Sequence, residues 1–168
     1  MIKTVLRLSL LGLLILAACS RPPMRERENA SLPLSNSPPI DLNAALARAK
    51  AEHKLVFLDF TGSDWCPPCM DLQKKVFSKP EFQAYAESNL VFLRVDFPLK
   101  FQLTPEAKAT NNFLAQQFRV DAPPTLIALS SDGKEIWKLL GPVASLGELT
   151  NDLAVAESNR SAEHLLGK

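Results

Sequence analysis

Cys66 and Cys69, in the run Trp65-Cys66-Pro67-Pro68-Cys69, are the residues whose type and spacing promise chemistry. They follow an apolar, strand-like run, Leu55 to Phe60, and precede a helix-like one. A thiol–disulfide couple needs this layout. The first sulfur falls at a helix N-terminus, where unpaired backbone N–H groups and the positive end of the dipole stabilise a thiolate. The second lies one turn further on, within reach to attack the first and close a disulfide. The same spacing is also half of a zinc site, but the other half is missing. The remaining cysteine is Cys19, and His53 and His164 do not form a ligand pair at zinc-finger spacing. Met70, not histidine, follows Cys69, which excludes c-type haem attachment. A redox dithiol is the leading reading, with neither metal nor cofactor required.

Three further features bear on that couple. Asp59 stands among Leu55, Val56, Phe57, Leu58 and Phe60. A carboxylate there is costly to bury and should have a raised pKa, as a proton acceptor for a thiol would need. The alternative is a strand-end aspartate paired with a surface lysine. Pro67 and Pro68 fill both positions between the cysteines. Proline suits a helix's first turn and pushes Cys66 into the extended geometry of an N-cap. Both prolines lack N–H groups, so a Cys66 thiolate loses donors, which predicts a higher thiol pKa and a more reducing couple. His53 reads as a structural residue ending a helix, and Asp64 as solvated.

The elements that must position these residues alternate. Asp41 caps a helix whose apolar face is Leu42, Ala45, Leu46 and Ala49. Leu55-Val56-Phe57-Leu58 has the continuous apolarity of a strand buried on both faces. The helix carrying the dithiol is expected from Cys66 to about Phe77, and Ser78-Lys79-Pro80-Glu81 has capping-box spacing for a second one. Leu90 to Phe97 is the next strand. Thr104-Pro105-Glu106 opens a helix with Ala107, Leu114 and Phe118 on one side. Thr125 to Leu129 and Glu135 to Leu140 form a hairpin around Ser131-Asp132-Gly133-Lys134. Ser145 and Glu148 make another capping box before Leu146, Leu149, Leu153 and Ala156. The order α-β-α-β-α-β-β-α predicts an α/β fold: crossover-linked parallel strands, then an antiparallel hairpin, in a central mixed sheet flanked by helices.

Residues 1–18 read as a targeting segment rather than part of the fold. Lys3 and Arg7 precede an apolar run, Leu8 to Leu16, too short to span a bilayer comfortably. It ends in Leu16-Ala17-Ala18-Cys19, which resembles the bacterial lipobox, so Cys19 is expected to become the lipidated N-terminus. Ser20, where an aspartate would signal inner-membrane retention, points to the outer membrane. Residues 19–40, rich in proline and polar residues, read as a disordered tether. One domain is expected over 41–158, with a C-terminal tail over 159–168. The net charge of +1 and the lack of a basic stripe argue against a nucleic-acid partner.

The element order, the dithiol at the first strand-to-helix turn and Pro124-Thr125 opening the third strand resemble the thioredoxin fold. The stretches Asp59-Phe60-Thr61-Gly62-Ser63-Asp64-Trp65-Cys66 and Val76-Phe77-Ser78-Lys79-Pro80-Glu81-Phe82 are similar to bacterial envelope thioredoxin-like proteins. They are also similar to the C-terminal thioredoxin domain of the periplasmic reductase DsbD. The resemblance implies that Cys66 is the exposed nucleophile and Cys69 the more buried resolving thiol. It implies that Asp59 relays protons to Cys69, although Asp59 stands one residue further from Cys66 than in typical thioredoxins. Trp65 is implied as a substrate contact. Pro124 matches the cis-proline that shapes the substrate groove beside Pro67 and Pro68. Pro123 departs from the pattern, since it cannot donate a backbone hydrogen bond to a substrate strand. The expectation is a membrane-tethered thiol–disulfide oxidoreductase of the bacterial cell envelope, facing the periplasm, and a reductase or exchange partner rather than a strong oxidant. Its partners would be disulfide- or thiol-containing envelope proteins and an upstream donor such as a DsbD-like reductase. The alternative is a non-catalytic thioredoxin-like module with a static disulfide, or one handling copper(I), a soft ion that thiolates suit.

Overall fold

The computed structural model describes residues 38–100 and 102–165. The expected signal segment, Cys19 and all but the end of the tether lie outside the described residues.

Helix α1, Leu42–Glu52, starts where Asp41 accepts the Ala44 N–H at 2.9 Å and stops at His53, whose left-handed φ of 55° turns the chain. It turns into β1, Leu55–Thr61, which is buried throughout, as its unbroken apolar run requires. Then follow α2, Pro67–Leu72, a π-helical turn over Gln73–Phe77, and α3, Pro80–Asn89. The expected capping box at Ser78 does not form. Ser78 instead ends the π turn, its hydroxyl donating to the Gln73 carbonyl at 2.7 Å, and Lys79 precedes α3 without a side-chain cap. Pro80, pre-set at helical φ and needing no N–H partner, starts α3 by itself.

Strand β2, Leu90–Asp96, pairs in parallel with β1. Helix α4, Pro105–Gln117, is capped by Thr104. Next come β3, Thr125–Leu129, and β4, Glu135–Leu140, joined by a turn that places Gly133 at φ 84°, a conformation side-chain-bearing residues resist. Helix α5, Leu146–Leu165, runs past the boundary expected at 158. At its start Ser145 accepts the Glu148 N–H at 3.2 Å, while the Glu148 carboxylate reaches back to the Ala144 N–H at 2.7 Å.

The four strands form one mixed sheet in the order β2-β1-β3-β4. The connection through α4 does not make a third parallel strand. It returns the chain to the end of the sheet that β2 left, so β3 runs antiparallel to β1, with Thr125 opposite Phe60. Alternation along the strands splits the core in two. Val56, Leu58 and Phe60 pack against α1 and α4, while Leu55 and Phe57 pack with Leu72, Phe77 and Phe82 beneath α2 and α3.

Candidate active site

The site lies where β1 gives way to α2. The chain leaves the strand at Thr61 and turns so that the N–H groups of Trp65 and Cys66 both donate to the Gly62 carbonyl, at 3.3 and 2.9 Å. Cys66 is the N-cap of α2, extended at φ −93°, ψ 101°, with Pro67 and Pro68 filling the first turn behind it. That geometry is what a residue preceding proline prefers. Cys66 and Cys69 are joined as a disulfide with Cα atoms 5.3 Å apart. The Cys69 N–H donates to Cys66 Sγ at 3.3 Å, so the third helical residue supplies a donor that the two prolines lack.

Burial does not separate the two sulfurs as expected. Cys66 is 3% exposed and Cys69 4%, so in the disulfide state neither is the open one. The asymmetry lies in position on the helix: only Cys66 is the cap and receives a backbone N–H. Trp65 is 39% exposed and Met70 44%, making an apolar rim beside the buried pair.

Asp59 is buried on the same face of β1 as Phe57. The β1–β2 register sets it against Arg94, and Arg94 Nε donates to Asp59 Oδ2 at 3.3 Å. Its partner is therefore a largely buried arginine rather than a surface lysine. Asp59 Oδ1 has no hydrogen-bond partner. Burial pushes the Asp59 pKa up to about 6 against the opposing pull of Arg94, with Asp96 adding to the rise. Arg94 also donates from its terminal nitrogen to Gln73 on the π turn. A cleft of about 230 Å³ is lined by Thr61, Cys69, Met70, Gln73 and Arg94 among others, on the Arg94 side of the dithiol.

Pro124 stands at the same end of the sheet, one residue before Thr125, which faces Phe60. The Pro123–Pro124 peptide is cis, and the Pro124 carbonyl accepts the Gly141 N–H at 2.8 Å. His53 is at the other end of β1, about 20 Å of strand from the dithiol. Among the described residues no cluster of three or more histidine, cysteine, aspartate or glutamate side chains stands together.

Four residues of the site escaped the sequence reading. Arg94 meets Asp59 through strand register alone, and Gln73 joins them through its hydrogen bond from Arg94. Asp96 accepts the Ser63 N–H at 2.9 Å and its hydroxyl at 2.6 Å, tying the approach to Cys66 onto β2. Asp64, read as solvated, is at the surface and also accepts the backbone N–H groups of Leu99 at 3.0 Å and Lys100 at 2.5 Å.

A family model, the thioredoxin-like domain, matches residues 42–151, and the chain belongs to that family. Among curated proteins it is similar to the disulfide bond reductase DsbH of Chlamydia pneumoniae, 35% identical over 95 residues, 56% of this chain and 57% of that one. It is likewise similar to the thiol:disulfide interchange protein DsbD 2 of Pseudomonas aeruginosa, 35% identical over 126 residues, 74% of this chain. The chain thus spans a little over half of the first relative's length and only 20% of the second's. A solved DsbH oxidoreductase structure superposes with a TM-score of 0.61 at 28% identity, covering 73% of this chain and 85% of that one.

Proposed function

We propose that the protein is a thiol–disulfide oxidoreductase of the bacterial cell envelope, tethered to the membrane through lipidated Cys19 and acting as a reductase or exchange partner. The observation that carries this reading is the Cys66–Cys69 disulfide at the N-terminus of α2, with Cys66 as its cap and Asp59 buried in the adjoining strand. The similarity to a named disulfide bond reductase supports the direction.

In the reduced protein the Cys66 thiolate attacks one sulfur of a substrate disulfide. A mixed disulfide forms through Cys66, and the substrate's other sulfur leaves as a thiolate that takes a proton from water. Asp59, ionised at neutral pH with a pKa of about 6, accepts the Cys69 proton. The Cys69 thiolate then attacks Cys66 Sγ, the mixed disulfide breaks, and the second substrate thiolate leaves. Two electrons have passed from the dithiol to the substrate, and the Cys66–Cys69 disulfide remains. An upstream dithiol protein, such as a DsbD-like reductase, returns the electrons by the same exchange in reverse. Trp65, Pro67 and Pro68 adjoin Cys66 in the chain, Pro123 and Pro124 stand at the same end of the sheet, and this reading assigns the five to the groove for the substrate chain. Pro123 offers that chain a carbonyl but no N–H.

The deciding experiment is reduction of insulin disulfides by the purified domain. Cys66→Ser abolishes turnover, and Cys69→Ser accumulates mixed disulfides through Cys66. Turnover surviving in Cys66→Ser refutes the assignment. A reduction potential near thioredoxin's, about −270 mV, supports a reductase, and one near DsbA's, about −120 mV, an oxidant. The anchor is tested separately by mass spectrometry of the mature N-terminus: an unmodified Cys19 sinks it, and acylation in an outer-membrane fraction places it.

A further inference from the structure

Two loops meet beside Cys66, and they grip each other in both directions. From the β1–α2 loop, Trp65 Nε1 donates to the Phe97 carbonyl at 2.6 Å. From the β2–α4 loop, the N–H groups of Leu99 and Lys100 donate to the carboxylate of Asp64, the residue before Trp65. The indole also rests on Gly62, where a Cβ would lie 2.4 Å from Trp65 Cε2, so only glycine leaves room for the ring. Trp65 is thus held from below by Gly62 and at its edge by Phe97, while Asp64 secures the loop that supplies the Phe97 carbonyl.

This lacing does not serve the core. Asp64 sits at the surface, and Leu99 is 76% exposed despite being apolar. Asp96 already fastens the same approach loop to β2 through Ser63. What the Asp64 contacts add is a fixed position for the loop whose carbonyl orients an exposed aromatic ring next to the nucleophile. A ring already oriented has no rotamer freedom to lose when a partner chain packs on it, whereas a loose one must be ordered at that moment.

We propose that Asp64 is a positioning residue for exchange at Cys66: by clasping the Leu99 and Lys100 amides it pre-orients Trp65 to receive the substrate chain. The inference rests on the exchange reading above and adds to it the residue that prepares the binding surface. Asp64 touches neither sulfur, so its removal acts on substrate capture and not on the bond exchange itself.

The test pairs kinetics with a measurement that does not depend on turnover. In D64A, KM for insulin rises about two- to tenfold, the cost of ordering one side chain, while kcat stays within twofold. The Trp65 indole N–H, assigned in the NMR spectrum by its loss in W65F, exchanges with solvent faster in D64A than in the wild type. D64N keeps one acceptor oxygen and restores most of both properties. A wild-type protein that reduces insulin while D64A matches it in KM overturns this inference alone, as does unchanged indole exchange. A loss confined to kcat also overturns it. A wild-type protein without any disulfide turnover overturns the exchange reading and this inference with it.

Discussion

The two faces of β1 begin alike and end differently. Val56, Leu58 and Phe60 carry an apolar surface along the whole strand against α1 and α4. On the other face Leu55 and Phe57 do the same, but the third position is Asp59, opposite Arg94 where Leu55 and Phe57 have Leu90 and Phe92. The break comes beneath the helix that carries the dithiol. A face that only stabilises has no reason to exchange its last apolar pair for charges, because a buried ion pair repays little of its desolvation cost. The difference separates the part of the sheet that holds the molecule together from the part to which the proposed function assigns the proton acceptor.

The dry end of this face carries the largest expected effect. Phe57 stacks on Phe92 at 5.8 Å and on Trp137 at 6.3 Å and meets Phe77 edge-on at 6.4 Å. Phe57→Ala should lower unfolding free energy by about 3–5 kcal/mol in a denaturant titration. A loss below about 1 kcal/mol would mean that this face is not a packed core.

The charged end responds to pH. Burial raises the folded-state pKa of Asp59 from the ordinary 3.8 to about 6. Between about pH 4 and 6 the folded protein keeps a proton that the unfolded chain has released, so stability falls as pH rises through this window and stays lower above it. The change amounts to about 3 kcal/mol. Asp59→Asn should flatten the profile and be the more stable protein at pH 7, while slowing release of the mixed disulfide. Denaturant midpoints from pH 4 to 7 for both proteins check the first point. Parallel profiles would show that the carboxyl does not titrate inside the core.

A smaller effect tests the other face. Lys138 on β4 donates from Nζ to the carbonyls of Phe118 and Arg119, at 2.7 and 3.0 Å, and so closes the C-terminus of α4. Lys138→Ala should cost about 1 kcal/mol in thermal or denaturant unfolding and leave the dithiol's potential unchanged. A shifted potential would show that the two faces are coupled.

What was legible in the sequence was whatever depends on near neighbours. The caps at Asp41, Thr104 and Ser145 follow from a side chain and an amide three positions on, and the burial of β1 follows from its unbroken apolar run. The thioredoxin-like fold followed from those elements in order. Arg94 was not legible as the partner of Asp59, because the two are 35 residues apart and only strand register joins them. Asp64 was missed for the same reason: its donors come from the loop beyond β2. Ser78 misled because its spacing was right for a cap, yet its hydroxyl had a nearer use in closing the π turn.

The smallest expected effect concerns the donors to Cys66 and which of the two prolines removes one. An N-cap side chain accepts from the second or third helical residue. Pro67 is first, Pro68 second and Cys69 third, and the Cys69 N–H already reaches Cys66 Sγ at 3.3 Å. Pro68 is therefore the proline that withholds a donor, while an N–H at position 67 would point away from the sulfur. Pro68→Ala should lower the Cys66 pKa and make the couple more oxidising, and Pro67→Ala should change little. The shift is small, about 10–20 mV, because the Cys69 amide meets much of the thiolate's need and two electrons make about 30 mV equal to 1.4 kcal/mol. Redox titration against glutathione, with thiol alkylation across pH, measures both quantities. Equal shifts in the two variants would trace the reducing bias to proline rigidity instead of to a missing hydrogen bond.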